Sequence, residues 1–420
     1  MTDCTTEGTF IVKDIYEGSS SGPGIYWDHR IMVGDTLYFP ASVPGINSAP
    51  WKSDGTPEGT VRIPGSEVDG IGVFNEPAHI GDYVYFSAND GATGAEPYRV
   101  ELTTATAEMI ADINNDPTPS TSSSVPREFI AFDGKVFFVA NNDNDSGEFG
   151  TEIWSYDNEG NVSGFDIRSG TSSSTPSSLT VVGDNLMFIA NDGIIGSEPC
   201  VLDGAAWECL DINPDGANYS TMVGFNGKAW FDASDGTAAE HGIELWSSDG
   251  ATTEIAADIW PGMDPSNPTA FTVFGDALYF NADRDSDGRE LWRVKDDAVE
   301  LFLDLYPGST DDVPNNSNPF EFQVIGDRLY FQADTGDGHT WWSTDGTEEG
   351  TLELAASMGQ DQIIDPCTSV LLGQMTDYLL ILADLDGDEM SELWKTAGTP
   401  ETTELIENLG VPAVNSCEEG

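Results

Sequence analysis

Basic residues are scarce in this sequence: 15 Lys and Arg stand against 74 Asp and Glu, which leaves a formal net charge of −59 at pH 7. Nucleic acids and anionic membrane surfaces bind proteins through basic side chains, so this deficit excludes both as partners. Three origins of the acidity remain, and they do not exclude one another. The surroundings are rich in salt, divalent cations are bound, or the partner is cationic.

Long apolar runs and helical periodicity are also missing. No apolar run approaches the length of a membrane span, so membrane insertion is excluded, and the polar N-terminus lacks a signal region. If the protein is secreted, its signal was removed before residue 1. Hydrophobic residues make up 39% of the chain and 45 residues are glycine, which is enough apolar material for a substantial core.

The chain has five cysteines and no Cys-x-x-Cys spacing of a zinc or redox site. Cys200 and Cys209 flank an Asp-Gly turn, so two antiparallel strands could bring them face to face, and we expect a disulfide there. Cys4, Cys367 and Cys417 lie near the two ends of the chain, where a second bridge would clasp the termini and leave one thiol over. The alternative is five reduced thiols.

Catalytic signatures are sparse. The four histidines are scattered without the spacing of a metal site or a triad, and a phosphate-loop motif is missing. Carboxylates are so frequent that no glycosidase pair can be picked out. The sequence therefore predicts a protein that is not an enzyme.

A short apolar strand motif recurs along the chain, at intervals of 43 to 52 residues between its final positions. Intervals of this length indicate a propeller or a solenoid. The copies, with a degenerate eighth, are GDTLYF ending at Phe39, GDYVYF at Phe86, DGKVFF at Phe138, GDNLMF at Phe188, NGKAWF at Phe231, GDALYF at Phe280, GDRLYF at Phe331 and TDYLLI at Ile381.

Each repeat contains four strand-like segments, as in AFTVFGD, ALYFNAD, ELWRVK and VELFLDL of the sixth. Four strands repeated eight times predict an all-β fold, a β-propeller of eight four-stranded blades, with seven blades as the alternative. We expect residues 1–420 to form a single domain with repeats of about 49 residues. Phe10–Ile15 and Glu404–Leu409 would compete for, or together extend, the outer edge of the last blade.

The third strand and its turn read APWKSDGT from Ala49, IELWSSDGA from Ile243, TWWSTDGT from Thr340 and SELWKTAGT from Ser391. In these motifs, which span nearly the whole chain, the sequence resembles the ELWxxDGT repeat family. The resemblance implies a secreted or surface-attached bacterial-type protein with a propeller-like fold, and it implies no reaction.

Glutamate and tryptophan recur at fixed places in the repeats. A carboxylate required once per blade is typical of the framework, so we expect these glutamates to accept hydrogen bonds from the backbone of the preceding glycine-rich turn. The tryptophans favour packing between blades over sugar stacking. The glutamates are Glu96, Glu152, Glu198, Glu244, Glu290 and Glu392, and the tryptophans are Trp51, Trp154, Trp246, Trp292, Trp342 and Trp394.

One turn differs from the simple NDG or SDG of its counterparts. In DRDSDGRELW, oxygen donors alternate before Gly288, as in the first half of a calcium loop, with Glu290 as the closing ligand. The alternative is an acidic, solvated turn. The predicted Ca²⁺ ligands here and at two equivalent turns are Asp283, Asp285, Asp287 and Glu290, then Asp384, Asp386, Asp388 and Glu392, then Asn142, Asp143 and Asp145.

Together these features predict a secreted or surface-displayed, calcium-stabilised propeller that acts without catalysis in adhesion or extracellular assembly. Its partner would be an extracellular protein or a glycan, with self-assembly as a further option. The alternative is a carbohydrate-binding or carbohydrate-active propeller.

Overall fold

The structure is a computed structural model. It describes residues 12–15, 29–43, 46–64, 75–115, 123–142, 149–157, 159–204, 206–213, 221–236, 241–336, 338–354, 369–375, 378–383, 390–396 and 404–412. The described part is all-β: eight four-stranded antiparallel sheets are arranged as a β-propeller, and a two-stranded hairpin lies in one connection. No helix in these ranges is long and apolar enough to cross a membrane.

Blades 1 to 4 each take four consecutive strands in the order of the chain. Blade 1 is β1 (Ile31–Val33), β2 (Thr36–Val43), β3 (Ile46–Ser53) and β4 (Val61–Arg62); blade 2 is β5 (Asn75–Ile80), β6 (Tyr83–Asn89), β7 (Ala95–Glu101) and β8 (Ala107–Met109). Blade 3 is β9 (Arg127–Phe132), β10 (Lys135–Asn141), β11 (Thr151–Asp157) and β12 (Val162–Phe165); blade 4 is β13 (Ser177–Val182), β14 (Asn185–Asn191), β15 (Ser197–Asp203) and β16 (Ala206–Cys209).

Blades 5 to 8 follow the same order, with the hairpin β25 (Ser309–Thr310) and β26 (Val313–Pro314) between blades 6 and 7. Blade 5 is β17 (Met222–Phe225), β18 (Lys228–Ala233), β19 (Glu244–Ser248) and β20 (Thr253–Ala257); blade 6 is β21 (Thr269–Phe274), β22 (Ala277–Arg284), β23 (Gly288–Lys295) and β24 (Ala298–Leu303). Blade 7 is β27 (Phe320–Ile325), β28 (Arg328–Asp334), β29 (His339–Thr344) and β30 (Leu352–Glu353); blade 8 is β31 (Ser369–Met375), β32 (Tyr378–Ala383), β33 (Met390–Thr396) and β34 (Glu404–Pro412). The prediction of eight blades is confirmed.

The second strand of a blade is largely buried on both faces. In β6, β10, β14 and β28 the five central residues are all buried and most of them are apolar, so these strands do not alternate between apolar and polar residues. The second strand pairs with the third strand in a defined register. In blade 6, Phe280 lies opposite Trp292, and Ala282 lies opposite Glu290. The recurring Leu-Tyr-Phe motif is therefore apolar because side chains on both faces of this strand are buried.

The hydrophobic core lies between successive blades. One cluster joins Tyr38 of blade 1 to Phe86 of blade 2, and another joins Tyr279 of blade 6 to Phe331 of blade 7. Contacts divide the chain into two compact units, one of residues 11–229 with 249–252, and one of residues 1–10, 230–248 and 253–420. Blades 1 to 4 belong to the first unit, and blades 6 to 8 belong to the second.

The N-terminal and C-terminal segments of the described chain contact different blades. β34 is the fourth strand of blade 8, paired with β33, as expected for Glu404–Leu409. Val12–Ile15 lies instead against blade 1, where Lys13 Nζ donates to Thr60 O at 2.7 Å and Ile15 packs on the Trp51 cluster. Phe10 and Ile11 lie outside the described residues.

The predicted disulfide is present: Cys200 of β15 faces Cys209 of β16 and is bonded to it. Cys4, Cys367 and Cys417 lie outside the described residues, so the second predicted bridge stays a prediction.

Candidate functional site

In four blades, a recurring glutamate on the third strand accepts hydrogen bonds from the connection that leads to the next blade. In blade 2, Glu96 on β7 accepts from Ser124 Oγ at 2.6 Å, Ser124 N at 3.0 Å and Ile113 N at 2.9 Å. We call this arrangement the Glu–Ser latch. It recurs as Glu152 with Ser174, Glu244 with Ser266 and Glu290 with Ser317.

The latch confirms a structural role for these glutamates and corrects the predicted donors. The donors come from the connection that follows the blade, because the chain returns past the third strand on its way to the next blade. They do not come from the preceding glycine-rich turn. The serines belong to a repeated Ser-x-Pro motif that sequence reasoning overlooked, at Ser124, Ser174, Ser266 and Ser317.

The latch carboxyl groups are inaccessible to solvent, and this shifts their titration. Burial raises the pKa of Glu96, Glu152 and Glu290 from 4.5 to about 7, although the bonds from serine and backbone act in the opposite direction. These groups therefore bind protons in the folded state at pH values where an exposed glutamate is fully ionised.

The carboxylates of the DRDSDG turn have partners of their own. Asp283 pairs with Arg289, whose Nη1 lies 2.6 Å from Oδ2, and Asp287 pairs with Arg284. Asp285 is exposed, and Glu290 belongs to the latch. The structure therefore does not gather these four predicted ligands around one point, and in the described ranges no group of three or more His, Cys, Asp or Glu could hold a metal ion.

The two other predicted calcium turns are only partly described. Asp143, Asp145, Asp384, Asp386 and Asp388 lie outside the described residues. Among the remaining members, Asn142 and Glu392 are buried side chains of blades 3 and 8. Calcium binding stays a prediction for all three turns.

The recurring tryptophans pack inside the fold. Trp51, Trp154, Trp246, Trp292 and Trp394 are all buried, and Trp154 Nε1 donates to Ala140 O at 3.1 Å. A buried indole face cannot stack on a sugar, so these five tryptophans belong to the packing of the fold. Packing between blades is seen for Trp154, which joins a cluster with blade 2, and for Trp394, which joins one with blade 7.

A pocket of about 390 Å³ lies beside the DRDSDG turn, between that turn and the connection from blade 6 to blade 7. We call it the blade 6 pocket. Its walls are Trp260, Asp283, Arg284, Asp285, Gly288, Asp312, Val313, Pro314 and Asn316. The hairpin β25–β26 supplies the wall that faces the turn.

Two contacts fix the walls of the pocket against each other. Asn316 Oδ1 accepts from Arg289 N at 2.7 Å, and a Cβ atom at Gly288 would lie only 2.0 Å from Asn315 O. Gly288 also has a φ of +76°. Only glycine allows this approach, so the glycine that suggested a calcium loop is needed for packing of the connection on the turn.

Sequence reasoning identified the turn side of the pocket and missed the opposite side. Trp260, Asp312 and Val313 belong to connections between blades, and the recurring sequence motifs do not include these connections. The length of the connection gives no signal either, because residues 304–319 between blades 6 and 7 are no longer than residues 110–126 between blades 2 and 3.

No protein-family model and no curated protein sequence matches this chain. Solved structures do. A structure from a study of two prolyl endopeptidases is 11% identical with a TM-score of 0.45, and the match covers 87% of this chain and 54% of that one. Oligopeptidase B from Leishmania major is 13% identical with a TM-score of 0.45, over 80% of this chain and 48% of that one.

The β-propeller domain of the Trilobed protease from Pyrococcus furiosus is 13% identical with a TM-score of 0.39, over 80% of this chain and 98% of that domain. The chain thus spans about half the length of the two larger peptidases. At these identities the likeness concerns the fold, and no catalytic residue is carried over to this chain.

These matches correct two predictions. The solved structures named above are peptidases and a propeller domain of a protease, which contradicts both the prediction of a non-enzymatic adhesion or assembly protein and the prediction that the chain is not an enzyme. Secretion, surface display and membership of the ELWxxDGT family stay predictions.

Proposed function

We propose that this chain is a peptide-binding propeller of a peptidase-type protein, and that the blade 6 pocket is one place where it holds the peptide. The observation that carries the proposal is the mixed lining of this pocket. Indole, valine and proline surfaces lie beside carboxylates in a preformed cleft. A peptide requires such a mixture, because it presents apolar side chains together with polar backbone groups.

Some exposed apolar side chains lie in the connections or turns at this end of their blades, while others, such as Met32 and Val324, lie in strands. Met263 is 64% exposed and Val313 is 62% exposed, and both lie in connections between blades of the second unit. In the first unit Ile194, in the turn between β14 and β15, and Val125, in the connection to blade 3, are also exposed. Such residues on an acidic surface are suited to contact a ligand.

The substrate class agrees with the names of the matched proteins, which are endopeptidases, an oligopeptidase and a protease. In the proposed arrangement the propeller binds the peptide, and a peptidase active site acts on it.

Binding can be tested with fluorescently labelled, unstructured peptides of mixed sequence, by anisotropy. We expect saturable binding that weakens in Trp260→Ala and Val313→Ser. The matched control is Val324→Ser, since Val324 is 47% exposed in β27 of the same unit and lies outside the pocket. Absence of saturable binding, or equal losses in Val313→Ser and the control, would contradict the proposal. Mass spectrometry of the same mixtures shows whether the peptides are cleaved.

A further inference from the structure

We infer that the blade 6 pocket selects a basic side chain, Lys or Arg, of the bound peptide. This inference rests on the proposed function, because it names which peptides the same site prefers.

The two arginines near the pocket are already neutralised. Arg284 pairs with Asp287 and stacks over the Trp292 ring, with its Cζ atom 4.8 Å from the centroid. Arg289 pairs with Asp283 and also donates to Asn267 O at 2.9 Å. Neither guanidinium group is therefore available to neutralise the other carboxylates of the lining.

Two carboxylates of the lining remain. Asp285, in the turn, and Asp312, in the β25–β26 hairpin, are both exposed and form no salt bridge with any residue in the described ranges. They approach the pocket from opposite walls. The pocket thus carries uncompensated negative charge on two sides, which favours a cation between them.

The remaining walls suit the stem that carries such a cation. Trp260, Val313 and Pro314 offer an indole ring and two aliphatic surfaces. Lys and Arg side chains pack their methylene groups against apolar surface while the charged end stays near water or an acid, and a cation over an indole face gains further attraction. A bare metal ion would leave these apolar walls unused.

The frame of the pocket is set before a ligand arrives. The bond from Arg289 N to Asn316 Oδ1 and the close packing of Gly288 on Asn315 O hold the turn against the connection. Binding then costs little ordering of the walls, so selectivity depends on the ligand's charge and shape. The net charge of −59 also attracts cationic peptides from a distance at low salt.

The test compares three labelled peptides that differ only at one central position, which is Lys, norleucine or Glu. We expect the Lys peptide to bind the wild type roughly tenfold more tightly than the norleucine peptide, the effect of one ion pair in a partly enclosed site. The Glu peptide should bind most weakly. In the double variant Asp285→Asn, Asp312→Asn, the Lys preference should fall to near one.

The control variant removes the same charge from the other end of blade 6. Asp296 and Asp297 are exposed in the β23–β24 turn, and Asp296→Asn, Asp297→Asn should keep the full Lys preference. Asp296, Asp297 and Asp312 all have positive φ angles, which asparagine tolerates, so neither variant is expected to disturb its turn.

The outcomes separate the two proposals. If none of the peptides binds, the proposed function fails and the inference fails with it. If all three bind equally, or if the control loses the Lys preference as much as the pocket variant, only the inference is overturned. Excess calcium at constant ionic strength should compete with the Lys peptide no better than magnesium does. Strong competition by calcium alone would assign Asp285 and Asp312 to a metal and overturn the inference.

Discussion

Blades 2 and 6 have a hairpin at the equivalent place between their second and third strands, yet the carboxylates of the two hairpins have different partners. In blade 2 the carboxylate of the turn is hydrogen-bonded within the turn itself: Asp90 Oδ1 accepts from Ala92 N and Thr93 N, both at 2.8 Å. In blade 6 two acids pair with arginines, and Asp285 has no salt-bridge partner in the described part of the chain. Both hairpins continue into the same latch, through Glu96 and Glu290.

The difference separates the framework from the candidate site. Residues that act in the same way in several blades, such as the latch glutamates, hold the propeller together. The acids that depart from the repeated pattern, in the turn of blade 6 and the connection after it, line the pocket. The following experiments test this division.

The largest effect on stability should come from the Glu–Ser latch, which blades 2 and 6 have in common. In each latch the serine N–H and hydroxyl also have a backbone carbonyl as acceptor, Ala95 O in blade 2 and Arg289 O in blade 6. Glu96→Ala and Glu290→Ala therefore leave one buried backbone N–H group without its acceptor, that of Ile113 or Leu305, and remove one of two acceptors from the serine. We expect each substitution to lower the free energy of unfolding by about 2–4 kcal/mol. Urea denaturation measures the loss. Glu300→Ala, in an exposed pair with Arg293, should cost less than about 1 kcal/mol. If the two Glu→Ala variants lost clearly different amounts of unfolding free energy, the latch would not have the same role in blades 2 and 6.

The pH dependence of stability tests the same latch without removing it. A folded-state pKa near 7 against 4.5 for the ordinary group means that the folded protein binds more protons between these values. The contribution of the latch is therefore fully present below pH 4.5 and is lost as the pH rises through 7. We expect unfolding in urea to become easier from pH 4.5 to 7.5.

Charge repulsion within so acidic a chain changes in the same direction, so the measurement needs a control. Repulsion between exposed charges is screened in 1 M salt, whereas the buried latch is not. The triple variant Glu96→Gln, Glu152→Gln, Glu290→Gln should flatten the high-salt pH dependence between pH 4.5 and 7.5. An unchanged slope would show that the latch glutamates do not titrate in this range.

A smaller effect distinguishes the two turns. Asp90→Ala removes the acceptor of two backbone N–H groups and should cost about 1–2 kcal/mol of unfolding free energy. Asp285→Ala removes an exposed side chain and should change stability by less than about 0.5 kcal/mol. Thermal or urea unfolding of the two variants under identical conditions gives the comparison. A large loss in Asp285→Ala would show that the blade 6 turn also depends on its own acid.

The smallest expected effect concerns calcium. Arg284 neutralises Asp287, so Arg284→Gln frees one more oxygen donor in the turn. At fixed ionic strength we expect calcium to raise the melting temperature of Arg284→Gln more than that of the wild type, with magnesium as the control for general ion effects. If neither protein responds to calcium more than to magnesium, the calcium prediction for this turn is wrong.

The sequence was sufficient for the framework because that framework repeats. The recurring Leu-Tyr-Phe strands predicted eight blades, and the Asp-Gly turn between Cys200 and Cys209 predicted the disulfide. The latch was only half predictable, since its acceptors recur in a conspicuous motif while their serine donors lie 22 to 28 residues further on.

The candidate site was less predictable, for two physical reasons. The turn was interpreted from its acids alone, although Arg284 and Arg289 stand between and beside them and neutralise two of them. The opposite wall of the pocket comes from connections whose path depends on packing, such as that of Asn315 on Gly288. No spacing in the sequence reveals that approach.

The latch also affects the order in which the protein can be completed during synthesis. Glu96 is translated 28 residues before Ser124, so blade 2 emerges from the ribosome with a buried acceptor that has no hydroxyl to bind. A propeller blade of this kind is finished only when the first residues of its successor are available. Nascent chains stalled after a latch serine has emerged from the ribosomal exit tunnel should therefore resist protease more than chains stalled before that serine emerges.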